Sequence, residues 1–575
     1  MTNLSNCNID LFPAMTNTKN GSFYGYINSN GNFIIKPQFT MAMNFNSNEL
    51  AIVSNGDFYG LINSSGQYVT KPIYSYINPF VEDRAIFSKG NIMGVLDENG
   101  TPITTKEYSF IENYSDSLAL ATINTKDGQT LYGYIDKNGN EAIPFIYIQG
   151  TSFQDGYALV QTSDDIYQII DKSGNIKTIL PYKYVWNFNS GLMTFSEESG
   201  GPIGYIDILG NVILKPQFTM AYPANDNYLI VSKSDNYIGK YGVIDLKNNL
   251  IYPFVYNDII YLGNNRFALG IARNDEIPIM NNIYALGTEK GVILTPFKFK
   301  NIENFNNNIT SASDLKNTFF IDLCGKTITT LPIVSGTGNL SIECGLVYAN
   351  VDYSPFYLTV NNDIIYKPNT VIPLNDKYSV IKEKYKPNVN YLVYYPQVDG
   401  VENNNIELDI NKNLKKISNL EKVTNDMVLD YNLYGSFNVL FFKKDLFIPN
   451  ISYYYYPFGA AHGMTYKKTP SINLKTGEFY NLDDLFKANS NWTQEINKII
   501  ETLIRKDKEY SYVNSNGFTG IYEDQPFYVD SNNLYIYFAP YDIAPYAAGF
   551  VTFKIPFKDI DDLINKNGSF YKSFN

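Results

Sequence analysis

The chain has 575 residues, more than one core usually organises, so two or more domains or a repeat array are expected. Its 50 Tyr and 37 Phe against 2 Trp suit half-buried β-strands, where rings pack and hydroxyls stay wet. A formal charge of −12 and an isoelectric point near 4.8 argue against nucleic acid and against an acidic membrane surface, because both need clustered Lys and Arg.

Residues 1–20 read as an N-terminal extension without the basic and apolar regions of a secretory signal. No run of about 18 uncharged apolar residues occurs, so no membrane span is expected. The expected location is cytoplasmic; a truncated N-terminus would leave the cell envelope or exterior as the alternative. Cys7, Cys324 and Cys344 form neither a CxxC pair nor an even framework and read as idle thiols, with a Cys324–Cys344 disulfide as the alternative in an exported protein.

From residue 21 to about 375 one phrase recurs. Its first copy, Phe23 to Phe39 (FYGYINSNGNFIIKPQF), places two strand-forming runs around a turn whose Gly31 takes positive φ at no steric cost. A third run, Leu50 to Val53, completes a unit of about three short strands. Aligned on the glycine before each turn, ten copies follow, starting at Gly25, Gly60, Gly94, Gly133, Gln168, Gly204, Gly242, Ala285, Phe319 and Tyr357. Spacings of 34 to 43 residues mark a repeat architecture. A proline closes most second strands, as in Lys36-Pro37 and Lys215-Pro216, where it is expected to punctuate the exit from the hairpin. Aspartates recur at the turns (Asp97, Asp136, Asp171, Asp207, Asp245, Asp322). A line of carboxylates could hold Ca²⁺, but the commoner use is to cap the turn, and no cofactor or metal is expected.

Tyr132-Gly133-Tyr134-Ile135-Asp136-Lys137-Asn138-Gly139 and Gly204-Tyr205-Ile206-Asp207 resemble the WG-repeat family, with Tyr, Phe, Met or Ile where the name-giving Trp would stand. The resemblance covers about residues 20 to 367 and implies an interaction scaffold without catalytic residues. One unit cannot bury both faces of its sheet, so units must stack, as a propeller-like ring or an open β-solenoid. Even spacing and short strands favour the ring.

Residues 376–575 read as an α+β domain. Ile381 to Asn388 is a linker or the entry strand of this domain. Asn404–Leu420 and Trp492–Ile504 carry apolar residues at helical spacing, and strand patterns lie around them. Tyr453-Tyr454-Tyr455-Tyr456-Pro457-Phe458-Gly459-Ala460-Ala461-His462-Gly463 and Tyr537 to Gly549 (YFAPYDIAPYAAG) resemble the domain in the extracellular part of RsiV-type anti-sigma factors and the non-catalytic part of PdaC-type peptidoglycan deacetylases. Tyr394-Tyr395-Pro396-Gln397-Val398 and the helix after it resemble the small companion domain that precedes it. The match spans about residues 390 to 562 and implies a cell-envelope recognition module, lysozyme being one ligand in the anti-sigma branch.

His462, the only histidine, is the best single candidate for a ligand contact or proton transfer; the alternative is that its ring fixes a glycine-rich turn. Asp542 pairs with it or caps a loop. Alternation along the strand turns two of the four tyrosines outward, so Tyr454 and Tyr456, with Tyr541 and Tyr546, are candidates for an aromatic contact patch. No GxSxG elbow, HExxH, CxxC or phosphate loop is present. A glycosidase carboxylate pair stays open among 57 acidic residues, since sequence spacing does not give a distance across a cleft. The expected function is a non-enzymatic recognition scaffold with a protein partner, or a cell-wall component, as ligand. The alternatives are a cell-wall glycan or peptide hydrolase using His462 and a structural assembly protein.

Overall fold

A computed structural model describes residues 9–189, 191–234, 239–274, 280–513 and 517–575. It comprises two compact units, Met1–Thr16 with Phe23–Pro368, and Asn17–Ser22 with Asn369–Asn575. Among the described residues no helix is long and apolar enough to cross a membrane.

Among the described residues, ten small antiparallel sheets make up the first unit. The second is representative, with strands Met41–Ala42, Ala51–Asn55, Phe58–Ile62 and Tyr68–Tyr74. The sequence pattern leads to three strands per unit; the structure has four in most sheets, because the first strand is often only two residues and too short to show a period. Residues 12–18, read in the sequence as part of an extension, form strand Phe12–Thr18 of the first sheet, with Phe12 and Ala14 buried. The tenth copy is set by the turn at Asn362, whose N–H bonds Thr359 O, so its register starts at Phe356, one residue before the sequence alignment.

Each sheet buries one face against the next. Tyr26, Ile35 and Phe39 of the first pack on Ala51, Val53 and Ile62 of the second, Leu61 and Tyr74 on Ile77 and Phe87 of the third, and so on to Phe320 of the ninth on Leu340 and Val347 of the tenth. The series then closes. Leu346 and Tyr357 of the tenth sheet share a core with Phe12, Ala14 and Ile27 of the first. Tyr357 Oη donates to Pro13 O at 3.1 Å and Tyr366 Oη to Met15 O at 2.9 Å. The unit is therefore a propeller-like ring and not an open solenoid.

The repeat glycine and proline have one shared cause. In the first sheet Tyr24 pairs with Phe39 and Tyr26 with Ile35, so Lys36-Pro37-Gln38 bulges opposite Gly25 alone. The same step recurs opposite Gly60, Gly133, Gly204 and Gly242. The bulged backbone leans over the glycine: a methyl group at Gly204 would lie 2.6 Å from Leu214 O and 2.7 Å from Pro216 N. Proline thus sits inside the strand, where the bulge leaves a donor unneeded, and does not mark the strand's exit as the sequence led one to expect.

The turn aspartates are spent locally. Asp136 Oδ1 accepts from Asn138 N at 2.8 Å and Asn140 N at 2.9 Å, and Asp97, Asp171, Asp207, Asp245 and Asp322 repeat the pair. Burial pushes the Asp136 carboxyl up, but hydrogen bonds from Asn140 and Asn138 outweigh it and leave the group below the ordinary range. A depressed folded value means the contribution is complete above the unfolded value near about 3.9 and is lost as pH falls through the folded one. Asp136→Ala is expected to cost roughly 0.5–1.5 kcal/mol in urea unfolding at pH 7, a difference that shrinks below about pH 4. A difference constant down to pH 2 would contradict this.

Cys324 is an exposed free thiol, so the Cys324–Cys344 disulfide is not formed, whereas Cys344 is disulfide-bonded and not the idle thiol expected; Cys7 lies outside the described residues.

In the second unit an eight-stranded sheet runs from Val371–Pro373 to Phe479–Tyr480. The charged stretch after Ile381 is its strand Ser379–Asn388. Helix α1 (Asn404–Ile417) packs Ile410 and Leu414 on Val380, Val398, Phe447 and Ile472. Helix α2 (Trp492–Lys506) packs Ile496 and Ile500 on Ile536 and Phe553 of a three-stranded sheet, Phe527–Val529, Asn533–Phe538 and Val551–Pro556. Strand Leu446–Pro457 serves both cores by alternation: Leu446 and Ile448 face one, Phe447 and Ile451 the other.

Candidate functional site

The far end of that strand carries the tyrosine run. Tyr453 and Tyr455 pack toward Tyr391, Val393 and Leu433, and burial raises both hydroxyl pKa values. Tyr454 and Tyr456 lie on the opposite face with rings 7° from parallel and 6.4 Å apart, Tyr454 being 40% exposed.

His462 is exposed on the turn between Leu446–Pro457 and Met464–Lys468. Its Nδ1 lies 3.0 Å from Gly463 O and its Nε2 3.2 Å from Tyr541 Oη. A carbonyl only accepts, which assigns the proton to Nδ1 and leaves Nε2 to accept from the tyrosine when the ring is neutral. Tyr546 stacks on the imidazole at 4.1 Å and 25°.

Gly463 is the hub. Its N–H donates to Tyr454 Oη at 2.8 Å, and its carbonyl accepts from Tyr546 Oη at 2.8 Å as well as from His462. A methyl group here would lie 2.5 Å from Tyr454 Cζ and 2.6 Å from Tyr455 O, so no larger residue fits. Tyr541 is 58% exposed and holds φ at 75°, a left-handed conformation that a bulky side chain adopts only when its surroundings impose it.

The structure thus gathers His462, Tyr454, Tyr541 and Tyr546 around one backbone amide. Tyr456 borders them, its hydroxyl on Ala460 O at 3.2 Å. Asp542 is turned to its own loop, where Oδ2 accepts from Ala539 N at 2.8 Å. Among the described residues no group of three or more His, Cys, Asp or Glu could hold a metal ion.

Two neighbours went unnoticed in the sequence. Tyr466 stacks across strands on Tyr453 at 4.8 Å and 17° and is 42% exposed. Lys467 places its ammonium 4.4 Å from the Tyr537 ring centre, 5.1 Å from Tyr528 and 5.7 Å from Phe550, and burial lowers its pKa. Only the register of Met464–Lys468 against the tyrosine strand could have placed them.

Six segments, 24–57, 59–91, 93–126, 132–164, 203–237 and 241–268, match the WG containing repeat, and residues 483–558 match the protein of unknown function DUF3298. The chain carries WG repeats and a DUF3298 domain. Segments 59–91, 93–126 and 132–164 each begin in the third strand of one sheet and end just past the second strand of the next, so the sequence unit straddles two sheets. The DUF3298 match includes Tyr541, Asp542 and Tyr546, while Tyr454 and His462 precede it. A DUF3298 family member from Bacteroides fragilis is 18% identical over 33% of this chain and 94% of its own, with a TM-score of 0.26. A DUF3298 family protein from Pseudomonas aeruginosa PAO1 is 15% identical over 34% of this chain and 96% of its own, with a TM-score of 0.26. BamB from Moraxella catarrhalis is 11% identical over 50% of this chain and 94% of its own, with a TM-score of 0.28. A search of curated proteins found no match.

Proposed function

We propose that this chain is a non-enzymatic recognition protein: the ring of WG repeats offers its loops to a protein partner, and the second unit binds an envelope-type ligand through the tyrosines around His462. The observation that carries the reading is the use of the histidine. Its Nδ1 is held by a backbone carbonyl, its Nε2 accepts from the Tyr541 phenol and its ring stacks on Tyr546 at 4.1 Å, which supports reading the imidazole as part of an aromatic surface. Flat, partly exposed tyrosines with one wet end suit contact with a sugar face or an aromatic-rich peptide, because they present area at low entropy cost. The resemblance of residues 390 to 562 to envelope modules supports a cell-wall component as the ligand.

Co-sedimentation of the full chain with insoluble peptidoglycan tests this. Retention is expected, with about tenfold weaker binding in the Tyr541→Ala/Tyr546→Ala variant and no release of soluble fragments. Fragment release abolished by His462→Ala would replace recognition by hydrolysis, and no retention would remove the cell wall as ligand.

A further inference from the structure

The eighth and ninth sheets of the ring hold two cations that the repeat does not call for. Arg273 follows strand Arg266–Ala272, and Lys300 precedes strand Asn301–Ile302. Arg273 Nη1 is buried without a hydrogen-bond partner. Lys300 Nζ reaches Asn281 Oδ1 at 3.1 Å, and Asn281 is only 8% exposed. The remaining donor of that amide, Nδ2, is also buried and unpartnered. Neither cation has an ion-pair partner among the described residues. The carboxylate of Asp258, on neighbouring strand Asp258–Tyr261, is held by Tyr284 Oη at 2.8 Å.

Burying one unpaired donor costs about 1–3 kcal/mol, and burying a charge without a counter-charge costs more, so such groups in a folded protein need a reason. An orphaned guanidinium N–H, an orphaned amide N–H and an ammonium with one neutral partner supply what a small oxyanion requires: two positive charges and several donors. We infer that Arg273, Lys300 and Asn281 form a binding site for a small oxyanion of the phosphate or carboxylate type, presented at one end of the eighth and ninth sheets. Asn282 Oδ1, a buried acceptor without a partner on the next residue, would suit the hydroxyl of a protonated phosphate and so favours that arm. Burial and the charge of Arg273 push Lys300 down to about 8, as expected of an ammonium whose counter-ion is missing. This inference stands apart from the aromatic site of the second unit, and neither depends on the other.

Calorimetric titration of the full chain in chloride buffer, with inorganic phosphate in one arm and acetate in the other, is the test. Saturable binding in either arm is expected, about tenfold weaker in Arg273→Gln and in Lys300→Met. Thermal unfolding of each variant without added anion checks that it folds. Titration of the wild-type Lys300 side chain by nitrogen NMR gives a second readout that needs no variant: the anion should raise its pKa. No saturable binding in either arm, binding untouched by both substitutions, or an unmoved Lys300 titration would overturn the site.

Discussion

Tyr134→Ala should lower the stability of the ring by about 3–5 kcal/mol, read as an earlier urea midpoint. The side chain is fully buried, its ring lies 4.8 Å from Phe153 of the next sheet, and its hydroxyl donates to Thr151 O at 2.8 Å across the same interface. Removing it opens a void between two sheets that are stable only through each other. A hydroxyl-only deletion separates packing from bonding. Tyr134→Phe leaves the ring and loses one bond, an expected cost of about 1 kcal/mol. Tyr205, at the equivalent position of the sixth sheet, is equally buried but its hydroxyl has no partner. Tyr205→Phe should therefore be neutral or stabilising, since it removes a desolvated hydroxyl without breaking anything. Equal costs for the two phenylalanine substitutions would contradict the assignment of Tyr134 as a clamp between sheets.

Gly25→Ala should be nearly as damaging, by about 2–4 kcal/mol, although it adds only a methyl group. That methyl would fall on Ile35 O and within 2.7 Å of Pro37 N, against backbone that the bulge has already committed. Gly56 is the control. It sits in a hairpin turn at φ 65° with nothing within 4 Å of the added carbon, so Gly56→Ala meets only the left-handed backbone penalty of about 1 kcal/mol. If the two alanines cost the same, the repeat glycine answers to backbone conformation and not to the overhanging strand.

The repeat was legible because each unit spells its own turn in side chains: a residue that caps, a glycine that turns and a proline in the next strand lie within about twenty positions. Even spacing and short strands favoured a closed ring, but the residues of its seam were not legible, because Phe12 and Tyr357 meet across more than three hundred residues and neither carries a mark of its partner. The short first strands escaped because two residues have no period, and the prolines were misplaced because a bulge depends on the register of the opposite strand. In the second unit, alternation along Leu446–Pro457 separated the inward from the outward tyrosines in advance. The role of Gly463 could not be anticipated, since its contribution is a backbone N–H and carbonyl that look alike in every residue. Asp542 caps its own loop for a local reason: its carboxylate accepts from the N–H three residues back.

The seam between Phe12–Thr18 and the sheet of Leu346 and Tyr357 also bears on how the protein is made. A ribosome delivering about 10 residues per second leaves the first sheet without its neighbour for about half a minute, its Phe12 and Ile27 side facing water throughout. Nascent chains halted before residue 346 should bind holdase chaperones and aggregate, whereas release of the completed ring should end both behaviours together.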